Sequence, residues 1–170
     1  MPKGPSSHAS GSLDGPSAAV TGGSRGPGVL VADELMRRGC RVTLAARDAA
    51  GLDRAGALLR QRHPAGTVRT DVTDVRDQRA VAELFRRTAA ACGGVDVVIA
   101  DAGIIQVAPA ETVGTAGFGD AMAGIFDGAL HTSLEAVPHL RERTAGGRLA
   151  LIGSVARRPR CCRPPRANRN

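Results

Sequence analysis

The chain contains no Trp and no Tyr, only three Phe, and a single Lys, at position 3. The lack of tyrosine removes any phenol from acid–base chemistry, and lysine is absent beyond the extreme N-terminus. The scarcity of aromatics also removes the stacking platforms that nucleic-acid-binding surfaces use. Basic character therefore falls to arginine, which accompanies abundant Ala, Gly and Pro, a composition that GC-rich codons favour. No apolar run approaches the length of a membrane span. Residues 1–12 are rich in Ser, Gly and Pro and lack the apolar core of a signal peptide. Cys40, Cys92, Cys161 and Cys162 show no C-x-x-C spacing, so no metal site is expected. The default expectation is a cytoplasmic protein with reduced thiols.

The net charge of +7 is unevenly placed. Residues 157–170 hold six arginines and no acid, which leaves +1 for the rest of the chain. A folded nucleic-acid binder clusters its basic residues on an element, next to aromatics. Here the charge sits in a Pro-rich tail, so salt-sensitive, non-specific attraction is expected. Neither a specific nucleic-acid partner nor a membrane partner is expected. At 170 residues and 42% hydrophobic content, one domain with a real core is the simplest organisation. The expected layout is a disordered stretch over 1–12, a folded domain over 13–156 and a disordered Arg/Pro-rich tail over 157–170.

Thr21 to Gly28, TGGSRGPG, is the most informative segment. The apolar run Ala18–Val20 precedes it and a helix-like run, Val29 to Arg38, follows, with Gly39 as a stop signal. A strand, a glycine turn and a helix in this order place backbone N–H groups and a helix N-terminus against a pyrophosphate. Strands and amphipathic helices then alternate. Arg41–Ala46 and Thr67–Arg69 read as strands, and Ala50–Arg62 as a helix with Leu52, Ala55 and Leu59 on one face. Asp74 is expected to cap a helix carrying Val81, Leu84, Phe85 and Thr88 at i, i+3, i+4 and i+7. Val95–Ala100 reads as a strand buried on both faces. One long helix is expected from Gly117 to Glu142, with Phe118, Met122, Ile125, Phe126, Ala129 and Val137 as its apolar face, and Arg148–Ile152 as a fifth strand. This alternation implies an α/β, doubly wound parallel sheet of about five strands with helices on both faces.

The glycine spacing G-x-x-x-G-x-G (Gly22, Gly26, Gly28), with AARD (45–48), DVTD (71–74), VDVVIADAGI (95–104), Pro138–Leu140 and GGRLALIGSVA (146–156), resembles the short-chain dehydrogenase/reductase family. The resemblance covers about residues 13–156. It implies a Rossmann-type fold with the expected strand order 3-2-1-4-5 and hydride transfer between a nicotinamide cofactor and an alcohol or carbonyl. It assigns Gly22, Ser24, Gly26 and Gly28 to the phosphate turn, and Asp71 and Val72 to adenine. Asp101, Ala102 and Gly103 take the place of the family's Asn-Ala-Gly turn. Ala46 stands where an acid would bind the ribose 2′-hydroxyl of NAD, and Arg25 and Arg47 suit the 2′-phosphate of NADP, so NADP is expected over NAD. Solvated surface arginines are the alternative reading of this pair. Pro27 fits the first helical position but contributes no N–H donor to a phosphate.

The chemistry matches less well. Ser154, in GSVA, takes the position of the family's substrate-orienting Ser. The family's Asn position falls on Ile125, and no Y-x-x-x-K follows Ser154. His63, His131 and His139 are expected to serve packing and surface roles. The chain as given is therefore expected to be inactive, and a frameshift or premature end before Y-x-x-x-K is the expected origin. The alternative is a non-catalytic dinucleotide-binding protein. A protein acting through its basic tail is the weakest of the readings. The family's dimer or tetramer interface is expected to be incomplete. The fifth strand is expected to be an open, association-prone edge through Leu149, Leu151 and Ile152.

Overall fold

The computed structural model describes residues 15–103 and 110–153. Five strands form one parallel sheet in the order β3-β2-β1-β4-β5. They are β1 (Ser17–Thr21), β2 (Arg41–Ala46), β3 (Val68–Val72), β4 (Val97–Ala100) and β5 (Arg148–Leu151). The helices are α1 (Pro27–Arg37), α2 (Ala49–Arg62), α3 (Gln78–Cys92), α4 (Ala110–Met122) and α5 (Gly128–Arg141), with a π-helical turn at Ala123–Asp127. Parallel neighbours need crossovers, and helices supply them on both faces.

Strand periodicity divides the core in two. Ala18 and Val20 of β1, with Val42 and Leu44 of β2, point to one face and pack with Ala32 and Met36 of α1 and Leu52, Ala55 and Leu59 of α2. Ala19 and Val98 point to the other and pack with Val81 and Phe85 of α3 and Ala136 and Leu140 of α5. Every residue of β1 is buried, as a central parallel strand requires. Cys40 and Cys92 are buried and free. Among the described residues, no helix is long and apolar enough to cross a membrane.

Three expectations need correction. Asp77, not Asp74, caps α3, accepting from the N–H groups of Arg79 at 2.9 Å and Ala80 at 3.3 Å. Asp74 sits one turn earlier and accepts from the N–H of Arg76 at 3.0 Å. Val75, buried between the two aspartates, is the reason: it must reach the core before the helix starts. Second, the third strand runs further than Thr67–Arg69 and carries Asp71 and Val72 at its end.

Third, the expected long helix is broken into α4, which is itself kinked at Gly114, the π-helical turn and α5. Its buried stripe is Gly128, Thr132, Ala136 and Leu140, a spacing of four residues. Phe118, Met122, Ile125 and Phe126 are each at least half exposed. Small residues win the inner face because the element lies close to its neighbours: a Cβ on Gly128 would stand 2.6 Å from Val75 Cγ2. The expectations for residues 1–14, 104–109 and 154–170, including Ser154, Cys161 and Cys162, lie outside the described residues.

Candidate dinucleotide site

The sequence-marked residues gather at the carboxyl ends of the strands, where β1 and β4 lie side by side and the chain order reverses. β1 ends at Thr21 and the glycine turn follows immediately. A Cβ on Gly22 would meet the Asp101–Ala102 backbone at 2.8 Å, and one on Gly28 would meet the Gly22 carbonyl oxygen at 2.6 Å. The turn is thus wedged between β4 and the start of α1. Gly23 N–H donates to the Ala45 carbonyl at 3.1 Å, which ties the turn to β2 as well. Gly26 has φ +61°, a conformation that L side chains rarely adopt, and nothing lies within 4 Å of where its Cβ would be. The result is a turn held from below and open above. Pro27 is the first residue of α1, as its fixed φ favours.

The end of β2 supplies the basic flank. Arg47 is exposed just beyond Ala46, and Arg25 is exposed on the glycine turn. Neither forms an ion pair among the described residues. Asp48 caps α2 through the Gly51 N–H at 2.9 Å, and Ser24 lies against the same first turn. Arg47 also faces Asp74, whose carboxyl is held below the usual carboxylate range mainly by Arg76 and more weakly by Arg47.

At the end of β3, Val72 is exposed while Asp71 is largely covered. The Asp71 carboxylate receives Arg87 of α3 at two points, 2.8 Å each, and the Thr73 hydroxyl at 2.6 Å. Thr73 lies within the DVTD motif, whereas Arg87 carries no sequence signal, looking like any other arginine on an amphipathic helix.

At the end of β4, the Asp101 carboxylate lies beside Gly28 in the first turn of α1, its Oδ2 3.0 Å from where a Cβ on Gly28 would stand. Burial pushes its carboxyl above the usual range, with the Gly28 N–H a weaker opposing influence. Ala102 and Gly103 follow. A Cβ on Gly103 would lie 3.6 Å from Ile125 Cγ1, which brings the π-helical turn to the end of β4. π-helical turns of this kind occur often at functional sites. Ile125, which the family resemblance puts at the position of the proton-relay Asn, brings an aliphatic side chain here. His131 bonds through Nδ1 with the Val75 carbonyl at 2.9 Å, His139 packs near Phe85, and His63 pairs with Asp33 at 2.8 Å. None of the three belongs to this cluster.

With five parallel strands in this order and a glycine turn at the reversal, the molecule is of the dinucleotide-binding α/β class. The family model for short chain dehydrogenase matches residues 16–161, and the chain belongs to that family. It is 30% identical over 154 residues to the tetrahydroxynaphthalene reductase of Pyricularia oryzae, covering 89% of this chain and 52% of that protein. A dehydrogenase/reductase from Sinorhizobium meliloti superposes with a TM-score of 0.74 at 35% identity, over 84% of this chain and 55% of that one. An NADPH-bound short chain oxidoreductase from Pseudomonas aeruginosa, described as containing an atypical catalytic center, gives a TM-score of 0.75 at 26% identity, over 82% and 54%. The chain spans about half the length of the curated relatives it matches.

Proposed function

We propose that this chain is the cofactor-binding part of an NADP-preferring oxidoreductase that acts on an alcohol or carbonyl. The observation that carries the reading is the glycine turn. Gly22 and Gly28 leave no space for side chains below it, while Gly26 leaves an open cradle above, next to the N-terminus of α1. Such a cradle suits a pyrophosphate. Ser24 and Gly26 would border it, and Ala102 and Gly103 would allow close approach on the nicotinamide side. Asp71 and Val72 would face adenine. Arg25 and Arg47, exposed and without ion-pair partners among the described residues, would bind the 2′-phosphate. The NADPH in the Pseudomonas aeruginosa structure supports the preference by analogy. A bound cofactor would donate or accept the hydride.

The residues of this chain would hold and orient that cofactor. Ser154 would orient the substrate oxygen. The proton-transferring Tyr and its Lys partner have no counterpart within these 170 residues. The chain by itself is therefore expected to bind without turnover, and a non-catalytic dinucleotide-binding protein is the second reading. Affinity is expected to be modest, since Pro27 lacks an N–H and the Asp101 carboxylate lies beside Gly28 in the turn.

Titration calorimetry with NADPH and NADH tests the reading. NADPH should bind at least about tenfold more tightly than NADH, a difference of roughly 1.4 kcal/mol. Arg47→Ala should remove most of that preference. Absence of binding to either nucleotide overturns the cofactor reading. Equal binding overturns the NADP preference alone. Oxidation of NADPH on adding a carbonyl substrate to the purified chain overturns the expectation of no turnover.

A further inference from the structure

Arg87 and Asp71 meet from elements 16 residues apart in sequence. Arg87 Nε donates to Asp71 Oδ2 at 2.8 Å, and Arg87 Nη2 donates to Oδ1 at 2.8 Å. The Thr73 hydroxyl donates to Oδ1 at 2.6 Å. Glu83, one turn earlier on α3, holds Arg87 Nη1 from the other side at 3.1 Å. A carboxylate offers about four lone-pair positions. Three are filled here, and Oδ2 keeps one that no described residue uses. The Arg87 side chain is 42% exposed, and a pair open to solvent on one side adds little to stability. The saturation has a clearer effect on recognition, because it fixes both the rotation of the carboxylate and the number of hydrogen bonds that it can still accept.

We propose that Arg87 is a positioning residue for base recognition: it locks Asp71 so that one Oδ2 lone pair reads an exocyclic amine and rejects a keto oxygen. The proposal rests on the dinucleotide reading of the site. Adenine carries an amino group at position 6, a donor. Hypoxanthine carries an oxygen there, whose lone pairs would face those of Oδ2. Without Arg87 the carboxylate regains free acceptor positions, and its terminal torsion, which is intrinsically broad, is released. It could then turn away from the keto oxygen, and discrimination would fall.

Calorimetric titration of the full chain with NADPH and with its hypoxanthine analogue tests this. The intact chain should bind NADPH about tenfold or more tightly than the analogue, as expected for a hydrogen bond to a charged group. In Arg87→Met that ratio should fall to within about twofold, and Arg87→Lys, which keeps the charge but not the two-point contact, should lie between. A purely structural role for Arg87 would weaken both nucleotides together and leave the ratio unchanged, and that result overturns the proposal. Equal binding of the two nucleotides by the intact chain also overturns it. If the intact chain binds neither, the cofactor reading fails and the proposal falls with it. Should Arg87→Met fail to fold, as judged by circular dichroism, the ratio in Arg87→Lys decides: an unchanged ratio overturns the proposal and a reduced one supports it.

Discussion

Asp101 sits where the helix N-terminus of α1 meets the end of β4, and its carboxylate lies beside Gly28. Burial raises its carboxyl above the ordinary value, so the native state binds this proton more tightly than the unfolded chain does. Stability from this group is therefore greatest below the unfolded-state value near pH 4 and declines as pH rises through the raised native value. Asp101→Asn removes the charge and keeps an oxygen beside Gly28. Thermal melts between pH 4 and pH 8 should show little difference from the parent at the acid end and a gain in Tm for Asp101→Asn that grows toward neutrality. A gain independent of pH would show that Asp101 is not the titrating group. The same substitution should tighten NADPH binding at pH 7, since it takes a negative charge away from the phosphate turn.

At the scale of elements, two choices were not decided by local pattern. The segment TDVRDQRA (73–80) offers two aspartates three residues apart, Asp74 and Asp77, each a good helix cap. The burial of Val75 between them chooses Asp77. Asp77→Ala should cost about 1 kcal/mol in urea unfolding. Asp74→Ala removes a turn contact and a partly exposed pair with Arg76 and should cost less, about 0.5 kcal/mol. The second choice concerns α5. Hydropathy favours burying its large residues, yet Ala136 is fully buried and Leu134 is about half exposed. Ala136→Leu should overpack the contact with the sheet and α3 and cost about 1–3 kcal/mol. Phe126→Ser, on the exposed π-helical turn, should change stability by no more than about 0.5 kcal/mol. Reversal of these two magnitudes would mean that the helix rotates about its axis in solution.

For the molecule as a whole, the described residues leave a run of apolar surface open from α4 to α5 and at the β5 edge. Phe118, Met122, Ile125, Phe126, Leu130 and Leu134 are exposed along α4, the π-helical turn and α5, and Leu151 and Ile152 are exposed at the β5 edge. Sheet edges and large apolar patches of this kind promote association. Sedimentation of the purified chain should show concentration-dependent self-association. Leu151→Lys combined with Phe126→Ser should shift the distribution toward monomer, whereas a monodisperse parent with a cooperative melt would contradict the expectation.

Much of this molecule is legible along the chain. The alternation of strands and helices and the glycine turn ahead of α1 follow from signals a few residues long: apolar period, turn chemistry, and a proline that fits the first helical position; the sheet order is legible only through the family resemblance that these motifs carry. The lack of tyrosine, and of lysine beyond position 3, is likewise a property of these 170 residues alone. Tertiary structure decided what those local signals leave open. It placed Arg87 on Asp71, put the Asp101 carboxylate beside Gly28, chose Asp77 over Asp74, and turned the small-residue stripe of α5 inward. The physical reason is common to all four. Each depends on how closely two elements approach, and that distance is set by the packed core and not by the residues on either side of the position in the chain.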